Sequence, residues 1–332
     1  MKLSDLLNRR IVVLSGKGGV GKSVLTATLA WIASRTGKRV LIVELDTIET
    51  IPHFFGVSGV ESYKEIPLYE NISSFHIDGK SALQEYLRLM LKSKKVTERI
   101  FRSPVYQYFV EVAPGLKELM TIGKIWDMEQ ATLPGSTKPR FDLFVVDTPA
   151  TGHTSSYFRM PQTAVKTIRR GFVKKEAQKV ADLLQDPEKV LFNIVTTLEE
   201  MPVNEALELY SVLVNELELP VGCIFANKMY PAFPEGELQE EYNKWKSRLI
   251  HEPDGEAQTP SPLKRIEPFI LMYAESWRKR RSDNEFYLER LKAAVPYEIH
   301  PVPRIFSSNV NTDFIQELAQ GMIAGSGDTF PI

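Results

Sequence analysis

An α/β fold with a mostly parallel sheet and helices on both faces is what this 332-residue chain predicts. Three observations carry that expectation. Short runs rich in Val, Ile, Leu and Phe recur along the chain, as strands buried on both faces require. Stretches with helical periodicity separate them, so successive strands have the crossovers that parallel pairing needs. The first run, Arg10-Ile11-Val12-Val13-Leu14-Ser15, opens directly into Gly16-Lys17-Gly18-Gly19-Val20-Gly21-Lys22-Ser23, and a helical pattern over residues 24–33 follows.

That glycine-rich segment fits G-x-x-x-x-G-K-[ST], with both flanks in place. A strand, a glycine-rich loop and a helix N-terminus together make an anion site, because backbone amides wrap phosphates and the helix dipole favours their charge. Gly16, Gly18, Gly19 and Gly21 let the main chain come close, Val20 lies between them, and Val24 opens the helical run. On the chemistry of the motif, Lys22 reaches the β and γ phosphates of ATP and the Ser23 hydroxyl ligates Mg²⁺.

The remaining elements follow in order. Residues 40–45 read as a second buried strand ending at Asp46, and residues 71–77 as a shorter, alternating one. From 81 to 130 the pattern is helical, with Leu83, Tyr86, Leu87 and Met90 in one stripe and Leu116, Leu119, Met120 and Ile122 in another. Residues 141–147 form the next strand, followed by a polar, turn-rich loop over 148–154. A basic helical stretch then runs to Leu184, with Asp186-Pro187 as its stop signal. Strands over 190–196 and 221–226 enclose an amphipathic helix over 204–217. Residues 251–262 read as an exposed Pro- and Gly-rich loop, 268–294 as a long charged helix, 297–302 as a last strand and 314–322 as a terminal helix. The expected organisation is one domain over residues 1–332, with a helical subdomain inserted from 81–130 and 154–185. Ligands in such sheets sit at the C-terminal strand ends, which singles out the Lys17 loop, Asp46, Asp147 and Asn227.

Composition narrows the function classes. With 43% hydrophobic residues, 25% charged and a net charge of −1, nothing points to nucleic acid as a partner. No apolar run approaches the ~20 residues that span a bilayer. The N-terminal Met1-Lys2-Leu3-Ser4-Asp5-Leu6-Leu7 is expected to lead straight into the first strand, without room for a signal peptide, which places the chain in the cytoplasm. Cys223 is the only cysteine, so an intrachain disulfide and a multi-cysteine metal site within one chain are excluded.

The loop 16–23, the segment Asp147-Thr148-Pro149-Ala150-Thr151-Gly152-His153-Thr154 and the ending Ala226-Asn227-Lys228 resemble the arsenite-pump (ArsA) and tail-anchored-protein-targeting ATPase family. So do Ile77-Asp78, Ala82-Leu83-Gln84-Glu85-Tyr86, Ala113-Pro114-Gly115-Leu116-Lys117-Glu118-Leu119 and Glu199-Glu200-Met201-Pro202-Val203-Asn204-Glu205, in family order from residue 10 to about 230. Beyond that only Pro301-Val302-Pro303 is similar, to the family's late nucleotide loop. The family has a deviant Walker A loop, belongs to the SIMIBI class of P-loop ATPases and works as ATP-sandwich homodimers. The resemblance implies that Lys17 acts across the dimer on the partner's phosphates, as an arginine finger does. It further implies that Asp46 and Asp147 hold Mg²⁺ through water, that Asn227 bonds the adenine and that Pro301 borders the nucleotide.

One departure bears on catalysis. The family's first switch reads Asp-Pro-Ala-His-x-x-Ser-Asp, its last aspartate orienting the attacking water, whereas here Asp46-Thr47-Ile48-Glu49-Thr50-Ile51-Pro52-His53 puts His53 in that place. Two readings of His53 stand: a catalytic imidazole, or a structural residue packed beside Phe54 and Phe55. Glu49 is a nearby carboxylate substitute. ATP binding is therefore better supported than efficient hydrolysis.

Three outputs follow from the resemblance: a chaperone or targeting factor taking a client or a membrane-protein partner through the helical subdomain, an energy-coupling subunit of an arsenite-type anion exporter, or a hydrolysis-poor nucleotide switch. The exporter needs three thiolates where the chain has Cys223 alone, and no zinc-binding Cys-x-x-Cys is present. The span from Thr154 to Leu191 is short and basic, with Arg169, Arg170, Lys174 and Lys175, and holds only Met160. Met90, Met120 and Met128 are expected in core packing rather than in a groove. The runs Lys92/Lys94/Lys95 and Arg278-Lys279-Arg280-Arg281 are expected to be solvated helix faces, and Phe314-Ile315-x-x-Leu318 is not a membrane anchor.

Overall fold

The computed structural model describes residues 1–45, 50–59, 61–91, 94–104, 106, 108, 115–233, 235–251, 262–328 and 330. Asp46, Thr47, Ile48 and Glu49, and residues 252–261 of the expected surface loop, lie outside the described residues. Among the described residues the strands are β1 (Ile11–Ser15), β2 (Val40–Leu45), β3 (Glu65–Tyr69), β4 (Ile72–Ile77), β5 (Leu143–Asp147), β6 (Val190–Thr197), β7 (Val221–Met229) and β8 (Glu298–Pro303). They form one sheet in the order β3-β4-β2-β5-β1-β6-β7-β8, parallel throughout except for the antiparallel edge strand β3.

Each central strand is buried on both faces, which is why it reads as a continuous apolar run. In β1, Ile11 and Val13 point to one core while Val12 and Leu14 point to the other; in β5, Phe144 and Val146 oppose Leu143 and Val145. One face is covered by α1 (Leu3–Leu7), α2 (Lys22–Arg35) and α12 (Thr312–Ser326). The other carries α4 (Gly79–Leu91), α6 (Leu116–Gln130), α7 (Thr151–Thr167), α8 (Phe172–Gln185), α9 (Glu200–Ser211) and α11 (Pro262–Ala294). Helices α3 (Ile51–Phe54), α5 (Lys94–Phe101) and α10 (Glu237–His251) complete the described set. The sheet thus reads as the P-loop α/β class the sequence predicts, and α4 to α8 pack on one another beside it.

Several expectations are corrected. The chain does not enter β1 directly: Leu3, Leu6 and Leu7 form α1, its face buried against the sheet. The turn-rich loop over 148–154 ends early, because α7 begins at Thr151. The single basic stretch to Leu184 is two helices: the first ends at Thr167, and Gly171, at φ 121°, is the N-cap of the second. The amphipathic helix starts at Glu200 and ends in a π-helical turn, Val212–Glu216. The run Arg278–Arg281 is not simply solvated. Arg281 donates to the Tyr230 carbonyl at 2.7 Å, Arg280 to the Tyr230 hydroxyl at 3.0 Å, and Arg278 stacks over Phe233. These contacts pin α11 to the segment leaving β7. Ile315 and Leu318 are core residues, as an apolar stripe facing a sheet demands. Among the described residues no helix is long and apolar enough to cross a membrane.

Candidate nucleotide site

The site is set by three adjacent strands. β1 lies between β5 and β6, with Leu14 level with Asp147 and Ser15 level with Ile194, so the loop 16–21 leaves the sheet flanked by both neighbours. Two glycines are sterically required there. A Cβ on Gly16 would stand 2.1 Å from the Val195 carbonyl oxygen, and one on Gly21, at φ 97°, would meet the Asn227 amide nitrogen at 2.4 Å. Gly18 passes Ala150, Gly19 is left-handed, and Val20 is buried against the core.

Helix α2 begins at Lys22, with Gly21 at its N-cap and no side-chain cap, so its first amides face the loop. Lys22 is buried and donates to the carbonyls of Gly16 and Lys17 at 2.9 and 3.0 Å, its side chain folded across the loop. Burial holds its ammonium below the ordinary lysine value, against the raising effect of Asp147. Ser23 donates to Asp147 Oδ2 at 2.6 Å, and half-buried Val24 follows in the same turn. Asp147 is 2% exposed, and burial pushes its carboxyl up to about 6 in spite of Ser23 and Lys22. Its other oxygen, Oδ1, is buried with no hydrogen-bond partner among the described residues. A buried acceptor left this way is costly unless something else satisfies it. A Mg²⁺ ion, directly or through its water, fits that donor set of carboxylate and hydroxyl oxygens.

Lys17 points elsewhere. Its ammonium meets Glu205 Oε1 of α9 at 2.5 Å, both side chains about one-third exposed. Asn227, 4% exposed at the end of β7, donates through its side-chain amide to the Val20 carbonyl at 2.7 Å and accepts from the Lys228 amide at 2.8 Å. Lys228 is left-handed, with φ 60°, and its ammonium donates to the Gly19 carbonyl at 3.0 Å. The end of β7 therefore clamps the loop. Pro301 lies level with Ala226 on β8, one residue from Asn227. His53 is exposed on α3 while Phe54 and Phe55 pack toward the core, so it does not share their packing. Cys223 is fully buried and donates to Asn193 Oδ1, and burial pushes its thiol up, as an inert core thiol requires. Among the described residues no cluster of three or more His, Cys, Asp or Glu could hold a metal by itself.

The residue-by-residue reading missed three groups. Glu205 lay within the quoted stretch 199–205, but nothing in its spacing pairs it with Lys17. Lys228 adjoins Asn227, and its left-handed backbone is invisible in sequence. Glu44 did leave a signal, as the one charge in an otherwise apolar strand. It is 1% exposed, sits level with Asp147, and accepts from the amides of Thr50 and Ile51 at 3.1 and 3.3 Å, anchoring the start of α3.

With this geometry in place, comparison with known proteins decides the family. Residues 9–177, just over half of the chain, match the model of the anion-transporting ATPases, the ArsA ATPase family. The chain belongs to that family. It is similar to the ATPase BagA of Mycobacterium tuberculosis, 29% identical over 237 residues, covering 70% of this chain and 68% of the relative. It is also similar to the ATPase get3 of Schizosaccharomyces japonicus, 26% identical over 159 residues, covering 48% of this chain and 46% of the relative. A protein of Chlorobaculum tepidum named as an arsenical pump-driving ATPase is 23% identical over 301 residues, covering 78% and 71%. The matched span of the family model runs from just before β1 into α8, and so contains the loop, Ser23 and Asp147.

Proposed function

We propose that this ArsA-family member binds Mg-ATP at the loop 16–23 and hydrolyses it slowly as a symmetric pair of chains, whose closure moves the helical layer α4–α8. The observation that carries the nucleotide reading is the pairing of Ser23 with Asp147, whose second oxygen is buried and without a partner among the described residues, at the mouth of an amide-lined loop. Mg²⁺, when bound, neutralises charge on the β and γ phosphates. In this scheme Ser23 and Asp147 hold the metal with Asp46. Lys22 gives up the two loop carbonyls for phosphate oxygens, and the α2 amides take the remaining phosphate charge. Asn227 and Pro301 border the base.

The direction of Lys17 supports a role outside its own loop, since its ammonium reaches α9 while Lys22 serves the cradle. On this reading, joining a partner exchanges Glu205 for the partner's phosphates. ATP drives the closure only to the extent that it binds the closed state better than the open one. Saturating the chain with a non-hydrolysable ATP analogue and Mg²⁺ should convert monomer to dimer in sedimentation. Lys17→Ala should abolish turnover while leaving analogue binding within a few-fold; full turnover by that variant removes the trans lysine.

A second reading, a nucleotide switch with little hydrolysis, is favoured by one observation: His53 stands where the family's first switch carries its water-orienting carboxylate. His53→Asp should then raise the ATPase rate well above the parent's, and an unchanged rate counts against it. The arsenite-coupled reading lacks ligands, because the sole cysteine is buried in β7. Turnover that ignores arsenite is the expected result.

A further inference from the structure

Away from the loop, helices α4, α6 and α8 line an open cavity of about 430 Å³. That volume falls within the ~300–1,000 Å³ of small-molecule sites, which are mostly apolar with a few polar groups. The walls fit this description, being mostly apolar, with Leu89, Met90, Leu119, Met120, Trp126 and Val173 among the lining side chains. The expectation of core packing holds for Met120, which packs against the buried clusters while also lining this space, and is corrected for Met90, which is 46% exposed.

Two independent features argue that this space is kept open for an occupant. Gly123 lies in the middle of α6 and lines this space, and among the described residues a Cβ there would meet nothing within 4 Å. A helix-interior glycine costs about 0.5–1 kcal/mol relative to alanine, and among the described residues no turn or close backbone approach explains this one. The charge of the wall is the second feature. Among the described lining residues, Glu85, Asp127 and Glu176 face Lys124 as the one cation, and Lys124 is already engaged by Glu85 at 2.8 Å and Asp127 at 3.2 Å. Glu176 pairs with Lys179, whose ammonium leans over the Trp126 ring. Behind the wall, burial, a hydrogen bond to Glu85 and the charges of Glu85, Asp127 and Asp78 all push the Tyr63 hydroxyl up, in keeping with a negative field.

We propose that the α4–α6–α8 cavity is a binding site for a small amphiphile, with an apolar body seated among Leu89, Met90, Met120 and Trp126 and a cationic head held by Glu176 and Asp127. The site lies apart from the nucleotide loop and does not depend on how that loop is read.

Calorimetric titration of the full chain, with each probe kept below its micelle-forming concentration, tests this. Dodecyltrimethylammonium should bind once per chain, at least tenfold more tightly than dodecyl sulfate. Gly123→Leu, which fills the wall without strain in the helix, should weaken that binding at least tenfold. Val173→Phe fills the same space from α8 and should do likewise, which covers the case in which the first variant fails to fold. Glu176→Gln should weaken the cation at least threefold and leave dodecanol unchanged. Equal binding of the sulfate overturns the cationic head. Undiminished binding by a folded cavity-filled variant overturns the site.

Discussion

Asp147 shows how a single residue couples fold and chemistry. Its carboxyl, ordinarily near 3.8, rises to about 6 because it is buried, and only Ser23 and Lys22 offset that. Between those two values the unfolded chain has released the proton while the folded chain keeps it. The metal-free protein therefore loses stability as pH rises through the window from about 4 to about 6, by about 3 kcal/mol in all. Asp147→Asn removes that penalty. Melting in the presence of a chelator should show the variant more stable than the parent at pH 7 and equal to it below about pH 4, while Mg²⁺-dependent nucleotide affinity falls. Lys17 and Glu205 are the other informative residues. A pair one-third exposed contributes roughly 0.2–1 kcal/mol. Glu205→Gln should thus lower the analogue concentration at half-dimerisation by no more than a few-fold, a shift that analytical ultracentrifugation resolves.

At the scale of elements, the loop depends on strands distant in sequence. Gly16 abuts the β6 backbone, and the end of β7 holds Gly19 and Val20 through Lys228 and Asn227. Gly16→Ala would drive a Cβ into the Val195 carbonyl, and neither backbone has a flexible end to yield. Its expected effect is a loss of more than about 2 kcal/mol in chemical denaturation together with lost nucleotide binding. The strands themselves were legible because burial on both faces forces apolar runs, and the loop was legible because its glycines and Lys22 keep fixed spacing. Other elements were not. β3 is only five residues long with Pro67 inside it, so the alternation of Ile66 and Leu68 with Glu65 and Pro67 is a weak signal, and in α10 the helically spaced Leu238, Tyr242, Trp245 and Leu249 are few among charged residues. The role of Arg278–Arg281 as a pin between α11 and Tyr230 depends on a neighbour about fifty residues earlier, which local pattern cannot reveal.

Across the whole molecule, burial is uneven. Two large cores sandwich the sheet, whereas the outer helices share small clusters, one around Leu83 and Tyr106 and another around Leu119, Ala164 and Ala177. Local opening follows the amount of buried apolar surface. Hydrogen exchange should therefore protect the amides of β1, β5 and β6 for far longer than those of α4 and α5. Uniform protection across these elements would contradict the division into a rigid sheet and a looser helical layer. That looseness is what a layer moved by nucleotide, or one that opens around a ligand, requires.

The order of residues alone determined the sheet class, the phosphate loop with Lys22 and Ser23, and the family likeness, since each rests on local spacing that chemistry holds constant. The tertiary structure alone decided that Lys17 meets Glu205, that Asn227 and Lys228 hold the loop, and that, among the described residues, Asp147 Oδ1 lacks a partner and Gly123 faces open space. Those facts come from side chains brought together across the fold, and from how much water each of them retains.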